Sequence, residues 1–88
     1  MRTADLITEK LTEAFTPESL TVTDESHLHA GHAGSREGGQ THFRINIVSH
    51  AFKGKSRLDR HRMINTALAA ELAGSIHALA IYAAAPGE

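Results

Sequence analysis

The sequence predicts an α+β fold in the order α-β-β-α-β: a three-stranded mixed sheet with its helices packed on one face. Three observations carry this. Apolar residues recur at helical spacing over residues 4–15 and again from Leu58 to Leu72. They alternate with polar residues in two short runs, Leu20–Asp24 and Thr41–Ser49. A last run, Ile76–Tyr82, carries apolar residues on both faces, as strands buried on both faces do.

In the first helix Leu6, Ile7, Leu11, Ala14 and Phe15 share one face. Thr3 is placed to cap the free N–H groups, Asp5 suits the positive end of the dipole, and Pro17 stops the helix. Leu20–Asp24 then reads as a half-buried strand. In the second strand Phe43, Ile45 and Ile47 point one way, and His42, Arg44 and Asn46 the other. The two strands are expected to pair as an antiparallel hairpin across a His/Gly-rich loop at about 27–40, a connection so long that it is expected either to have a function or to be mobile. A basic turn, HAFKGKS at 50–56, leads to the second helix. Ser56 is its cap, Asp59 its third residue, and Leu58, His61, Ile64, Leu68 and Leu72 its inner stripe. Gly74 is expected to end it in the left-handed conformation. The Ile76–Tyr82 run follows as a central strand, brought into the same sheet by a right-handed crossover. Residues 84–88 read as a frayed tail.

The whole chain, residues 1–88, reads as a single domain. With 41% hydrophobic residues and few aromatics, the core must be built from Leu, Ile, Val and Ala. There is no cysteine, so no disulfide. The N-terminus lacks the apolar core of a signal peptide, and no apolar run approaches the roughly 20 residues that cross a bilayer. A cytoplasmic protein with no membrane partner is expected. The net charge of −1 hides an asymmetry. Residues 44–62 carry +5, residues 1–43 carry −4 and residues 63–88 carry −2. One part of the surface is therefore expected to be positive.

Seven histidines are the chemically informative residues. Three of them, His27, His29 and His32, lie in the Gly-rich loop. Imidazole titrates near neutral pH and is the commonest metal ligand. A chain without thiolate can offer a metal only imidazole, carboxylate or water, so a thiophilic metal needs sulfur from a partner. Against this stands a plain polar loop that happens to use His. His77 opens the last strand on the face of Leu79 and Ile81; it reads either as a structural residue or as a rigid ligand at the surface. His61 is expected to be buried between Leu58 and Ile64. Lys53, Lys55, Arg57, Arg60 and Arg62 form a candidate phosphate-binding patch, with the turn before Ser56 offering backbone N–H groups. Gly54-Lys55-Ser56 resembles the end of a phosphate-binding loop, but Ser49 stands where the motif needs Gly. Phe52 is the one aromatic residue expected near this patch to stack a base, which argues against tight single-strand recognition. No nucleophile elbow or carboxylate pair supports catalysis, so no enzyme is expected.

Asp24-Glu25-Ser26, the His loop, Thr41-His42-Phe43, Val48-Ser49, Phe52-x-Gly54-x-Ser56, Arg60-His61-Arg62 and His77-Ala78-Leu79 occur in this order and spacing. In these residues, from about Leu6 to Pro86, the chain resembles the BolA-like family. The resemblance implies a fold similar to the class II KH module. It also implies partnership with a monothiol CGFS glutaredoxin, as a heterodimer sharing a [2Fe–2S] cluster. The glutaredoxin and a bound glutathione supply thiolates; the BolA-like protein supplies a His from the start of its last strand and a His or Cys from its hairpin loop. Here these correspond to His77 and to His29, three residues after Ser26, with His32 and His27 as alternatives. Alone, the protein would hold no cofactor and be a monomer or weak homodimer. Imidazole ligands must be neutral, so cluster retention is expected to weaken below about pH 6.5. The family also implies transcriptional regulators that bind DNA through the KH-like surface, here Phe52 to Arg62. The G-x-x-G loop of KH modules is absent, since Arg57 stands three residues after Gly54.

Overall fold

A computed structural model describes residues 2–25, 42–74, 76 and 78–88. Among these, α1 spans Thr3–Phe15. Its cap is Arg2, in extended conformation and without a side-chain capping bond, so Thr3 is a helical residue and not the cap expected of it. The helix ends at Thr16, whose backbone is left-handed (φ 44°) and whose N–H donates to the Thr12 carbonyl. Pro17 follows and blocks any continuation.

Strand β1 (Ser19–Asp24) pairs antiparallel with β2 (His42–Val48), from Ser19 opposite Val48 to Asp24 opposite Phe43. Strand β3 (Ala78–Ala84) pairs parallel with β2, from His42 opposite Ala78 to Val48 opposite Ala84. The sheet order is β1-β2-β3. The mixed α+β sheet is as expected, but its centre is not: β2 is the central strand and β3 lies at an edge. The apolar run misled because its outward positions, Ala78, Ala80 and Ala84, are small residues that need no cover, and Tyr82 between them is 53% exposed.

The helices cover one face of the sheet. Ile7 and Leu11 of α1 meet Phe43, Ile45 and Ile47 of β2, Ile81 of β3, and Phe52, Ile64, Leu68 and Ile76. The alternation in β2 is followed in full, with its three inward residues at most 2% exposed. Full burial of a side chain of this size contributes about 1.5–3 kcal/mol, so β2 is the anchor of the core. After β2, a 3-10 turn (His50–Phe52) buries Phe52 completely against Phe15, with ring centroids 5.0 Å apart. Ser49 fixes this corner. Its buried hydroxyl donates to the Phe15 carbonyl at 2.7 Å and accepts from the Ala51 N–H at 3.1 Å.

Helix α2 (Arg57–Ala67) starts at Ser56, whose hydroxyl accepts from the Asp59 N–H, as expected. Its inner stripe differs from the expected one. Leu58 is 58% exposed. At 3.6 residues per turn it lies about 120° around the helix from buried Ile64, whereas Arg60, one turn before Ile64, takes the inward position. The helix also kinks. Leu68 leaves helical geometry (φ −106°, ψ 19°), and a short α3 (Ala69–Ala73) follows while the hydrogen-bond ladder continues through Leu68 and Leu72. Gly74 ends it without the expected left-handed backbone (φ −120°). Instead the N–H groups of Gly74 and Ile76 both donate to the Glu71 carbonyl. The Glu71 side chain is buried and pairs with Lys10 of α1 at 2.7 Å, tying α3 to α1.

Residues 84–88 are held, not frayed. Ala84 belongs to β3, Ala85 is buried, and Glu88 folds back onto α2. Among the described residues no helix is long and apolar enough to cross a membrane.

Candidate functional site

Two candidate sites lie at opposite ends of β2 and β3. At the first, β1 ends and both other strands begin. The Glu25 N–H donates to the His42 carbonyl at 2.8 Å, extending the ladder by one bond, and His42 stands opposite Ala78. Glu25, His42, Phe43, Ala78 and Leu79 line a shallow cavity of about 220 Å³. The Glu25 carboxylate accepts from Arg44 Nε at 3.0 Å. That hydrogen bond and the charge behind it raise the Arg44 pKa further above its already high value. His27, His29, His32 and His77 lie outside the described residues. Their described flanks, Glu25 and His42 on one side and Ala78 on the other, line the same cavity. Among the described residues no group of three or more His, Asp or Glu side chains could hold a metal ion. The chain's donor set is imidazole and carboxylate without thiolate, which suits one side of a shared metal group and not a thiolate-bound cluster held alone.

The second site is where β2 and β3 end, beside the start of α2. Lys55, Arg57, Arg60 and His61 meet Asn46, Tyr82 and Ala84 around a groove of about 630 Å³. Lys53, Lys55, Arg57 and Arg62 are exposed as expected, and His61 is half-buried. Arg60, expected in the same exposed patch, is otherwise engaged. Its Nη1 donates to the Ala83 carbonyl at 3.1 Å and its Nε to the Lys55 carbonyl at 3.0 Å. Nη1 and Nη2 form a two-pronged pair with the Glu88 carboxylate at 2.6 and 2.7 Å. Glu88 also accepts from the Ala85 N–H at 3.1 Å. The Arg60 hydrogen bond, helped by that of Ala85, lowers the Glu88 pKa from 4.5 to about 2. A guanidinium so bound has four of its five donors committed. Arg60 is therefore a clamp joining α2, the basic turn, β3 and the tail.

Tyr82 is the residue that sequence reasoning missed here. Phe52, the aromatic expected near the patch, is fully buried and cannot meet a ligand. Tyr82 lines the groove instead. The Arg44 guanidinium lies 5.5 Å from its ring centroid and Nη1 is 3.4 Å from its hydroxyl. The signal was present in the sequence: once Leu79 and Ile81 face the core, alternation sends Tyr82 to the open face.

Comparison with known proteins fits this architecture. The profile of the BolA family, described as BolA-like protein, matches residues 11–88. A Sinorhizobium protein known as the uncharacterized protein in the cobS 5′ region is 52% identical over the whole chain, which spans 96% of it. The structure of the BolA domain of SufE1 from Arabidopsis thaliana is 46% identical, with a TM-score of 0.85 over 94% of this chain and 91% of that one. The chain spans only 23% of the full-length Arabidopsis SufE-like protein 1, so the likeness is to that domain alone. A Vibrio cholerae protein named DNA-binding transcriptional regulator BolA is 45% identical over 89% of this chain, which spans 70% of it.

Proposed function

This chain belongs to the BolA-like family, and from that premise we propose that it is a non-enzymatic factor in iron–sulfur cluster assembly, trafficking or iron sensing. It would act by sharing a [2Fe–2S] cluster with a monothiol glutaredoxin. His77 and His29 are the proposed ligands, with His32 and His27 as alternatives to His29. The partner's cysteine and glutathione would supply the thiolates this chain lacks. The reading is carried by the sheet register. The antiparallel β1–β2 pair and the parallel β2–β3 pair put the residues flanking the His loop, Glu25 and His42, beside Ala78, which follows His77 in sequence. Described residues that neighbour the two histidine-bearing segments in sequence thus share one end of the sheet.

The test is a reconstitution with a CGFS glutaredoxin, glutathione, iron and sulfide, followed by visible absorption and circular dichroism. The wild-type chain should give a heterodimer spectrum distinct from that of the glutaredoxin alone. That spectrum should be lost in His77→Ala and in one of His29→Ala, His32→Ala or His27→Ala. A wild-type spectrum identical to that of the glutaredoxin alone would remove the cluster role.

A second reading, DNA-binding regulation, is favoured by one observation. The groove at the other end of the strands holds exposed Lys55 and Arg57 and has no carboxylate in its lining. Lys53 and Arg62 are exposed nearby, while Arg60 would act by holding the surface in shape.

A further inference from the structure

Resting on that second reading, we infer that the groove where β2 and β3 end is a binding site for single-stranded nucleic acid, in which Tyr82 stacks a base and Lys55 and Arg57 hold the flanking phosphates. Four observations converge. The groove, at about 630 Å³, is within the range of sites that take a ligand of nucleotide size. Its free charges are cationic: Arg60 is matched by Glu88, which leaves Lys55 and Arg57, both exposed. Its wall includes a half-exposed aromatic ring on the open face of the sheet. And that ring is held ready. Arg44 lies over it, 5.5 Å from its centroid, with Nη1 3.4 Å from its hydroxyl.

Around Tyr82 the surface is low. Its register partner is Asn46, and Ala80 and Ala84 flank it along β3. Arg44 covers one face of the ring, and on the other face a planar base would meet only these low neighbours. Stacking on such a platform requires the base to be out of a duplex, which points to a single strand. The phosphates on either side need only point charges, and Lys55 and Arg57 supply them without reading sequence. The site therefore favours unpaired strands with little sequence preference. It differs from a patch that tracks the backbone of double-stranded DNA.

Tyr82 is the only tyrosine and there is no tryptophan, so the protein's own fluorescence reports this ring directly. The experiment titrates the full chain with a fluorescein-labelled oligothymidylate of about a dozen nucleotides, with the same sequence as a duplex, and with free thymidine monophosphate as competitor. Polarisation of the label gives affinity. Tyrosine emission, read with unlabelled strand, gives stacking. The expected result is tighter binding of the single strand than of the duplex, quenched tyrosine emission, and binding about five- to a hundred-fold weaker in Tyr82→Ala but retained in Tyr82→Phe. Competition by the monophosphate at concentrations comparable to the strand would overturn the strand assignment in favour of a free nucleotide. Duplex binding indifferent to Tyr82→Ala would overturn the stacking site and leave the DNA reading intact. No binding of either form would remove both.

Discussion

Where β2 and β3 begin, His42 faces Ala78 and the chain leads toward its histidine-bearing segments. Where they end, Val48 faces Ala84 and the cations of the next turn gather. Seven residues of strand separate these ends, about 20 Å at ~3.3 Å per residue. The difference lies in what supplies the chemistry. At the first end the proposed donors are imidazoles, from chain segments distant in sequence whose described flanks meet there. The second combines permanent charges, one of which is consumed in holding the others in place. Charges at that separation are largely screened from each other at physiological salt. One sheet can therefore carry a pH-sensitive site and a salt-sensitive site that mutation separates.

The largest expected effect would break the second end and spare the register of the first. Phe52→Ala removes a fully buried ring packed at a tilt against Phe15. It should cost about 3–5 kcal/mol, measured by urea unfolding, with Phe52→Leu costing clearly less. Equal losses in both variants would show that the aromatic corner does not anchor the basic turn.

pH should sharpen the comparison, because the two ends respond in different windows. At the first end, cluster absorbance should fade as pH drops below about 6.5, where imidazole protonates; an unchanged spectrum at pH 5.5 would argue against imidazole ligation. At the second end, Glu88 has a pKa lowered from 4.5 to about 2. Its contribution to stability is thus fully present above pH 4.5 and lost as pH falls toward 2. The Ala85 amide, followed by NMR, should keep its hydrogen-bonded shift through pH 5 and lose it only in strong acid. Loss of that shift near pH 5 would mean that the clamp does not hold in solution.

The smallest effect is the most selective. Lys55→Ala with Arg57→Ala should leave cluster sharing intact. It should flatten the salt dependence of single-strand binding by about 0.7 log unit for each phosphate that is no longer neutralised. A drop in cluster formation in this variant would show that the two ends are not independent.

Much of the fold was legible because its signals are local. The strict alternation of β2 identified Phe43, Ile45 and Ile47 as core, and Ser56 marked the start of α2. Leu58 was misassigned because it fits a helical stripe only approximately, and packing chose Arg60's side of the helix. The candidate site was legible in its chemistry, namely the imidazoles, the missing thiolate and the basic run. It was not legible in its partners. Glu88 lies 28 residues from Arg60 and Tyr82 lies 38 from Arg44, and no periodicity links residues so far apart.

The sequence by itself determined which segments are helix and strand, which residues of β2 face the core, and that the chain has no thiolate to offer a metal. The tertiary structure decided that β2 and not β3 is central, that Arg60 serves as a clamp, that Lys10 meets Glu71, and that Tyr82 lines the groove of Lys55 and Arg57. The physical reason is the crossover through α2 and α3. It returns the chain to lay β3 parallel to β2, and only that return sets the end of the last strand against the start of the second helix.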